Sequence, residues 1–145
     1  MRYYLDTEFN GFGGELISLA LVREDGSFIY LADHVTDPDQ WVGVNVIPKI
    51  DVGEPPKWVS RSTFGHHIRD FLSGDEEPVI LADWPDDIRY FCASLITGPG
   101  QRVRPLPDLA FVIKWVDAYP TTLPGAVQHN ALWDARAIRH KLIPA

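Results

Sequence analysis

Two carboxylates separated by one residue, Asp6 and Glu8, close an apolar, aromatic run (Tyr3, Tyr4, Leu5) at the start of a 145-residue chain. Side chains along a strand alternate faces, so residues two apart project to the same side. Like charges this close repel, and a fold gains nothing from that repulsion at the end of a buried strand. A divalent cation turns the pair into hard oxygen ligands of the kind that Mg²⁺ and Mn²⁺ take. Taken alone, the pair also fits a polar strand end with both carboxylates in water.

Further acids and a histidine stand at comparable boundaries. Asp87 opens a helical stretch after the apolar run 78–82, with Asp83 and Asp86 beside it. His129 stands just before the last helical pattern and Asp134 in its first turns, a spacing of five that lets both face one cleft. Helix N-termini favour carboxylates, so Asp87 alone fits a plain helix-start acid, and His129 alone a satisfied loop histidine. Asp-Thr-Glu at a strand end, a later Asp at a helix start and His-x4-Asp near the end of the chain, in this order, form a far more specific signal. His66 and His67 point about 100° apart on a helix, make a poor metal pair and read as surface residues. Gly11-Phe12-Gly13-Gly14 lacks the following helix that a phosphate-cradling loop needs.

Asp6-Thr7-Glu8-Phe9, Asp87 and His129-Asn-Ala-Leu-Trp-Asp134-Ala135 resemble the three motifs of the DEDDh exonucleases, the ribonuclease-H-like 3′–5′ exonuclease superfamily. The compact size, the Arg-Tyr-Tyr-Leu-Asp-Thr-Glu-Phe opening and the Glu-Leu-Ile-Ser-Leu run after it are similar to small bacterial and mycobacterial 3′–5′ exoribonucleases related to ribonuclease T. The second motif matches least well, because Asp83, Asp86 and Asp87 compete for it. Asp87 is preferred, since Tyr90 and Phe91 follow at three and four residues, and Asp83 is the runner-up.

The resemblance implies two Mg²⁺ or Mn²⁺ ions, roughly 4 Å apart. Asp6 would bridge them, Glu8 and Asp134 would hold the first, and Asp87 would bind directly or through water. His129 would be the general base, and the product a nucleoside 5′-monophosphate from a 3′ end. Phe9 and Trp84 are candidates to stack on terminal bases, Asn10 to bond the terminal sugar hydroxyl, and Arg136, Arg102 or Arg104 to contact phosphates. The expected substrate is single-stranded or 3′-overhang RNA, with DNA as the other option, because contacts to the 2′-hydroxyl are not legible in the sequence. A homodimer is a further expectation, from the habit of related exonucleases. A ribonuclease-H-like endonuclease and a non-catalytic nucleic-acid or nucleotide-binding module are the alternatives.

Positioning such a set requires a core, and the composition supplies one: 46% of residues are apolar, with five Trp, five Tyr and seven Phe. A net charge of −7 argues against holding nucleic acid by charge alone, but not against an enzyme whose acids bind cations. The single cysteine, Cys92, cannot form an internal disulfide and suits a small core position in a reducing compartment. No run approaches the roughly 20 apolar residues of a membrane span, and no secretory signal precedes the first strand, so a cytoplasmic location is expected.

The pattern predicts strands over 3–5, 15–22 and 27–32, joined by Arg23-Glu-Asp-Gly26, as an antiparallel meander. A helix starts at Asp37-Pro38 and runs to about Ile47, and a second covers 60–72. A strand over 78–82 leads into a helix from Asp87 to near Gly98. A strand at 102–106, a helix at 108–116 and a final helix ending at Leu142 follow. The expectation is an α/β fold, a ribonuclease-H-like mixed sheet of a three-strand antiparallel meander plus parallel strands with helices on both faces. Without an internal repeat or linker, 1–145 reads as a single exonuclease domain.

Overall fold

The computed structural model describes residues 1–143. Its centre is strand β1 (Arg2–Phe9), flanked by β2 (Leu16–Arg23), which is buried along nearly its whole length. With β3 (Phe28–Ala32) they form the expected antiparallel meander, and Gly26 takes a positive φ of 92° in the tight β2–β3 turn. Short β4 (Lys57–Trp58) adds in parallel to β3, while β5 (Val79–Ala82) and β8 (Ala110–Ile113) extend the other side in parallel. The six-stranded order is β4-β3-β2-β1-β5-β8. A mixed sheet of this kind is compatible with a ribonuclease-H-like fold.

The alternation of β1 decides which helix meets which face. Tyr3 and Leu5 belong to a core with Leu19, Leu21 and Leu31, covered by α2 (Phe64–Leu72) through Phe64, Ile68 and Leu72 and by α3 (Pro85–Leu95) through Phe91 and Leu95. Half-buried Cys92 packs against this core. On the opposite face, α4 (Ala131–Leu142) lays Ala131 and Ala135 against Ile17, Ala20 and Val22. These small side chains let the helix approach the sheet closely. α1 (Gln40–Asn45) and the 3-10 turn Ile47–Lys49 complete this side through Val42, Val46 and Ile50.

Local chemistry shifted several boundaries. The first helix starts later than Asp37-Pro38 suggests: Asp39 is the cap residue, and the Asp37 carbonyl is held by the Asn10 amide. The expected strand at 102–106 shrinks to β7 (Gln101–Arg102), which pairs with β6 (Ile96–Gly98) in a separate hairpin. Pro105 and Pro107 have no N–H to give a ladder, so the chain runs on irregularly. The helix expected at 108–116 is instead β8. Ala-Phe-Val-Ile is rich in strand-favouring side chains, and it satisfies the free edge of β5.

The site-building feature is a parting of strands. β1 and β5 pair only from Arg2↔Val79 to Tyr4↔Leu81, and β5 ends at Ala82 while β1 continues to Phe9. The far half of β1 therefore borders an opening at the carboxyl end of the parallel strands, the usual place for ligands in such sheets.

Candidate active site

Asp6 and Glu8 project from the α4 face of β1, opposite Ala20 and Ser18 on β2. Asp134, the fourth residue of α4, reaches toward them. Asp83 follows the tip of β5, and Asp87 is buried in the first turn of α3. The five acids make two ligand sets that share Asp6: Asp6, Glu8 and Asp134, and Asp6, Asp83 and Asp87. Within each set one oxygen per residue lies within 4.8 Å of the others.

No ion pair among the described residues offsets this charge: none of the seven involves any of the five acids. Asp6 Oδ2 is buried without a hydrogen-bond partner. The energetics follow: burial first, then the neighbouring charges of Asp87, Asp134, Glu8 and Asp83, holds the Asp6 carboxyl well above the usual range. Burial, and then Asp134, does the same to Glu8. Burial pushes Asp87 and Asp134 up to about 7, and raises Asp83 as well. A folded cluster that penalises its own ionisation this strongly is what hard divalent cations relieve, and the donor set, all carboxylate oxygen, suits Mg²⁺ or Mn²⁺.

Thr7 lies between the two acids in sequence but is buried on the other side of β1. Its N–H and hydroxyl both donate to Asp87 Oδ1, at 3.2 and 2.5 Å, where the departing β5 leaves β1 unpaired. Asp86 joins neither set; it pairs with Arg89 at 3.7 Å and borders the cavity that Asp6 and Asp83 also line.

His129 lines a cavity of about 280 Å³ with Asp6, Asp83, Tyr119 and Asp134. Its ring stands edge-on to Trp41, centroids 5.0 Å apart. The backbone there is left-handed, φ 54°, a conformation that costs a non-glycine residue about 1 kcal/mol. Asn130 fixes that kink. Its Oδ1 accepts from Trp133 N at 3.2 Å to cap α4, and its Nδ2 donates to the Lys49 carbonyl at 2.9 Å and the Tyr30 hydroxyl at 3.2 Å. Neither Thr7 nor Asn130 stood out in the sequence as a positioning group, although each sits inside a motif.

A second cavity, about 470 Å³, shares Asp6 and Asp83 with the first and adds Glu8, Phe9, Phe12 and Trp84. Phe12 is 96% exposed and Trp84 52% exposed at its rim. Gly14 makes the turn that presents Phe12, since a Cβ there would lie 1.8 Å from the Asn10 carbonyl oxygen. Phe9 stacks on Tyr90 at 4.6 Å, so one ring face is already covered. Trp84 meets Trp115 edge-on at 5.1 Å.

Two candidates belong elsewhere. The Asn10 amide is engaged at both ends, donating to the Asp37 carbonyl at 2.9 Å and accepting from Asp39 N at 2.7 Å, so it clamps the loop before α1. Arg136 is two residues past Asp134, roughly 200° around the helix, and pairs with Glu54 at 2.7 Å between Phe28 and Trp133. Arg102 and Arg104 are also removed from the acids, on the β6–β7 hairpin and in the loop that follows it. His66 is exposed and His67 half-buried, and neither joins a ligand set.

No family model matches the chain. Two proteins from different strains of Mycobacterium tuberculosis, each named 3′-5′ exoribonuclease, are 31% identical to it, the alignment covering 94% of this chain and 88% of theirs.

Proposed function

The chain belongs to the 3′-5′ exoribonuclease family of these mycobacterial proteins, and from that premise we propose that it removes nucleoside 5′-monophosphates from the 3′ ends of RNA in a metal-dependent reaction of the DEDDh type. The observation that carries the proposal is the pair of carboxylate triads sharing Asp6, with no cationic side chain among the described residues paired to either. Asp6, Glu8 and Asp134 would hold one Mg²⁺ or Mn²⁺, and Asp6 with Asp87 the other. When bound there, such ions would supply Lewis acidity toward the phosphodiester and lower the pKa of the attacking water.

The protein's own parts do the rest. His129 takes the proton of the attacking water on an imidazole nitrogen, from a ring held by the Trp41 edge and the capped turn before α4. Thr7 holds Asp87 in place through one oxygen and leaves the other free. The exposed faces of Phe12 and Trp84 suit unpaired bases, which favours single-stranded or 3′-overhanging substrates over closed duplex. Each of the three buried clusters includes side chains of the six-stranded sheet, which supports reading the chain as one exonuclease domain.

RNA labelled at one end or the other tests this. With Mn²⁺, a 3′ label is expected to leave at once as mononucleotide while a 5′-labelled strand shortens stepwise, and EDTA stops both. Cleavage of a circular RNA, or activity indifferent to EDTA, overturns the proposal.

A further inference from the structure

We propose that Asp83 is a fifth metal ligand, acting together with Asp87, and that it lets the second cation bind before any nucleic acid arrives. The inference rests on the metal reading above and extends it. Asp83 and Asp87 do not compete for one role, since each brings an oxygen within 4.8 Å of Asp6 and of the other. Around an octahedral ion with oxygen distances of about 2.1 Å, ligand oxygens stand about 3 to 4.2 Å apart, so small side-chain rotations close the set.

The free valences of the site say why a third carboxylate matters. Asp87 Oδ1 already accepts two hydrogen bonds from Thr7. Without Asp83, the second ion would have one free Asp87 oxygen and a share of Asp6. Mg²⁺ held by one or two carboxylates normally completes its shell with water and substrate phosphate. With Asp83, the second triad matches the first in ligand number, and Asp6, whose Oδ2 is buried without a partner, belongs to both. A purely structural part for Asp83 finds no support in its contacts. It takes part in no ion pair among the described residues. Both cavities are bordered by Asp83 as well as Asp6, so the carboxylate faces the space where an ion would sit.

The test needs no nucleic acid. MnCl₂ is titrated into the EDTA-stripped full chain, and free Mn²⁺ is read by electron paramagnetic resonance. The wild type is expected to bind two equivalents. Asp83→Asn and Asp83→Ser, each checked for an unchanged circular dichroism spectrum, are expected to keep the first and weaken the second by about tenfold or more. Asp86→Asn, which removes a nearby acid paired with Arg89, is expected to keep both. Two equivalents bound with wild-type affinity by both Asp83 variants overturn the inference and leave the nuclease reading standing, as does a wild type that binds only one. A wild type that binds no Mn²⁺ overturns the metal reading itself.

Discussion

Thr7 and Asp87, 80 residues apart in sequence, are joined by two hydrogen bonds to a single carboxylate oxygen. The N–H of Thr7 is a strand donor that β5 would have satisfied had it continued beyond Ala82, and Asp87 takes the missing carbonyl's place. Thr7→Val keeps the shape and removes the hydroxyl. The expected result is a loss of roughly tenfold or more in kcat, in the range of lost outer-shell partners to metal ligands. The carboxyl of Asp87 also loses one of the bonds that favour its charged form, so the acid limb of the pH–rate profile moves to higher pH. A variant with wild-type kcat and profile would show that Thr7 only fills space.

Asp6 and His129 border the same cavity but make different predictions. Asp6→Ala removes the oxygen donor shared by both ligand sets, and several kcal/mol of lost transition-state stabilisation is about a thousandfold in rate. It is also expected to abolish tight Mn²⁺ binding. His129→Ala is expected to lower kcat by about 10²- to 10⁴-fold, the span of a lost general base, with Mn²⁺ binding nearly unchanged. Parallel rate and Mn²⁺ measurements separate the two. Full nuclease activity in Asp6→Ala would remove the basis of the site.

The cluster also predicts how stability depends on pH. Asp87 and Asp134 titrate near 7 in the fold, against about 3.9 for an aspartate in an unfolded chain. A pKa raised by folding means that the folded state binds the proton more tightly. The contribution is complete below about pH 4 and is lost as pH rises to about 7. The EDTA-treated protein is therefore expected to lose Tm across that window, and Mn²⁺ to restore it most at pH 7 and above, where the ligands are deprotonated. Thermal melts in a pH series with and without Mn²⁺ check this. An EDTA-treated Tm that rises from pH 4 to 7 would contradict it.

How much of this was legible depended on whether a signal was local. Asp6 and Glu8 sharing a face follows from strand alternation alone, and the β2–β3 turn follows from Asp25-Gly26, so the meander and its acids were readable. The strand β8 was not. Leu109, Val112, Ile113 and Val116 recur at helical spacing as well as lying in a strand-favouring run, and what decides is the open edge of β5, a non-local fact. The ambiguity among Asp83, Asp86 and Asp87 had the same root. Only the parting of β5 from β1 shows that two of them face Asp6 while the third faces Arg89. Asn10 looked available for a sugar because its partners, at Asp37 and Asp39, lie in a loop whose path no short-range pattern reveals.

Asn130 offers the opposite balance from the acids, and mutating it separates construction of the site from its chemistry. Its side chain is buried and fully used, capping α4 and tying it to the turn at Lys49 and to Tyr30. Asn130→Ala removes an N-cap, worth about 1 kcal/mol, and strands buried partners at about 1–3 kcal/mol. The expected loss of stability is about 2–4 kcal/mol, read as a lower midpoint in urea. Asp6→Asn should move the other way in EDTA, because it removes a buried carboxyl without a partner whose ionisation burial and the neighbouring acids oppose. Asp6→Asn destabilised to the same degree as Asn130→Ala would mean that the acid cluster supports the fold, and that no such cost is carried for function.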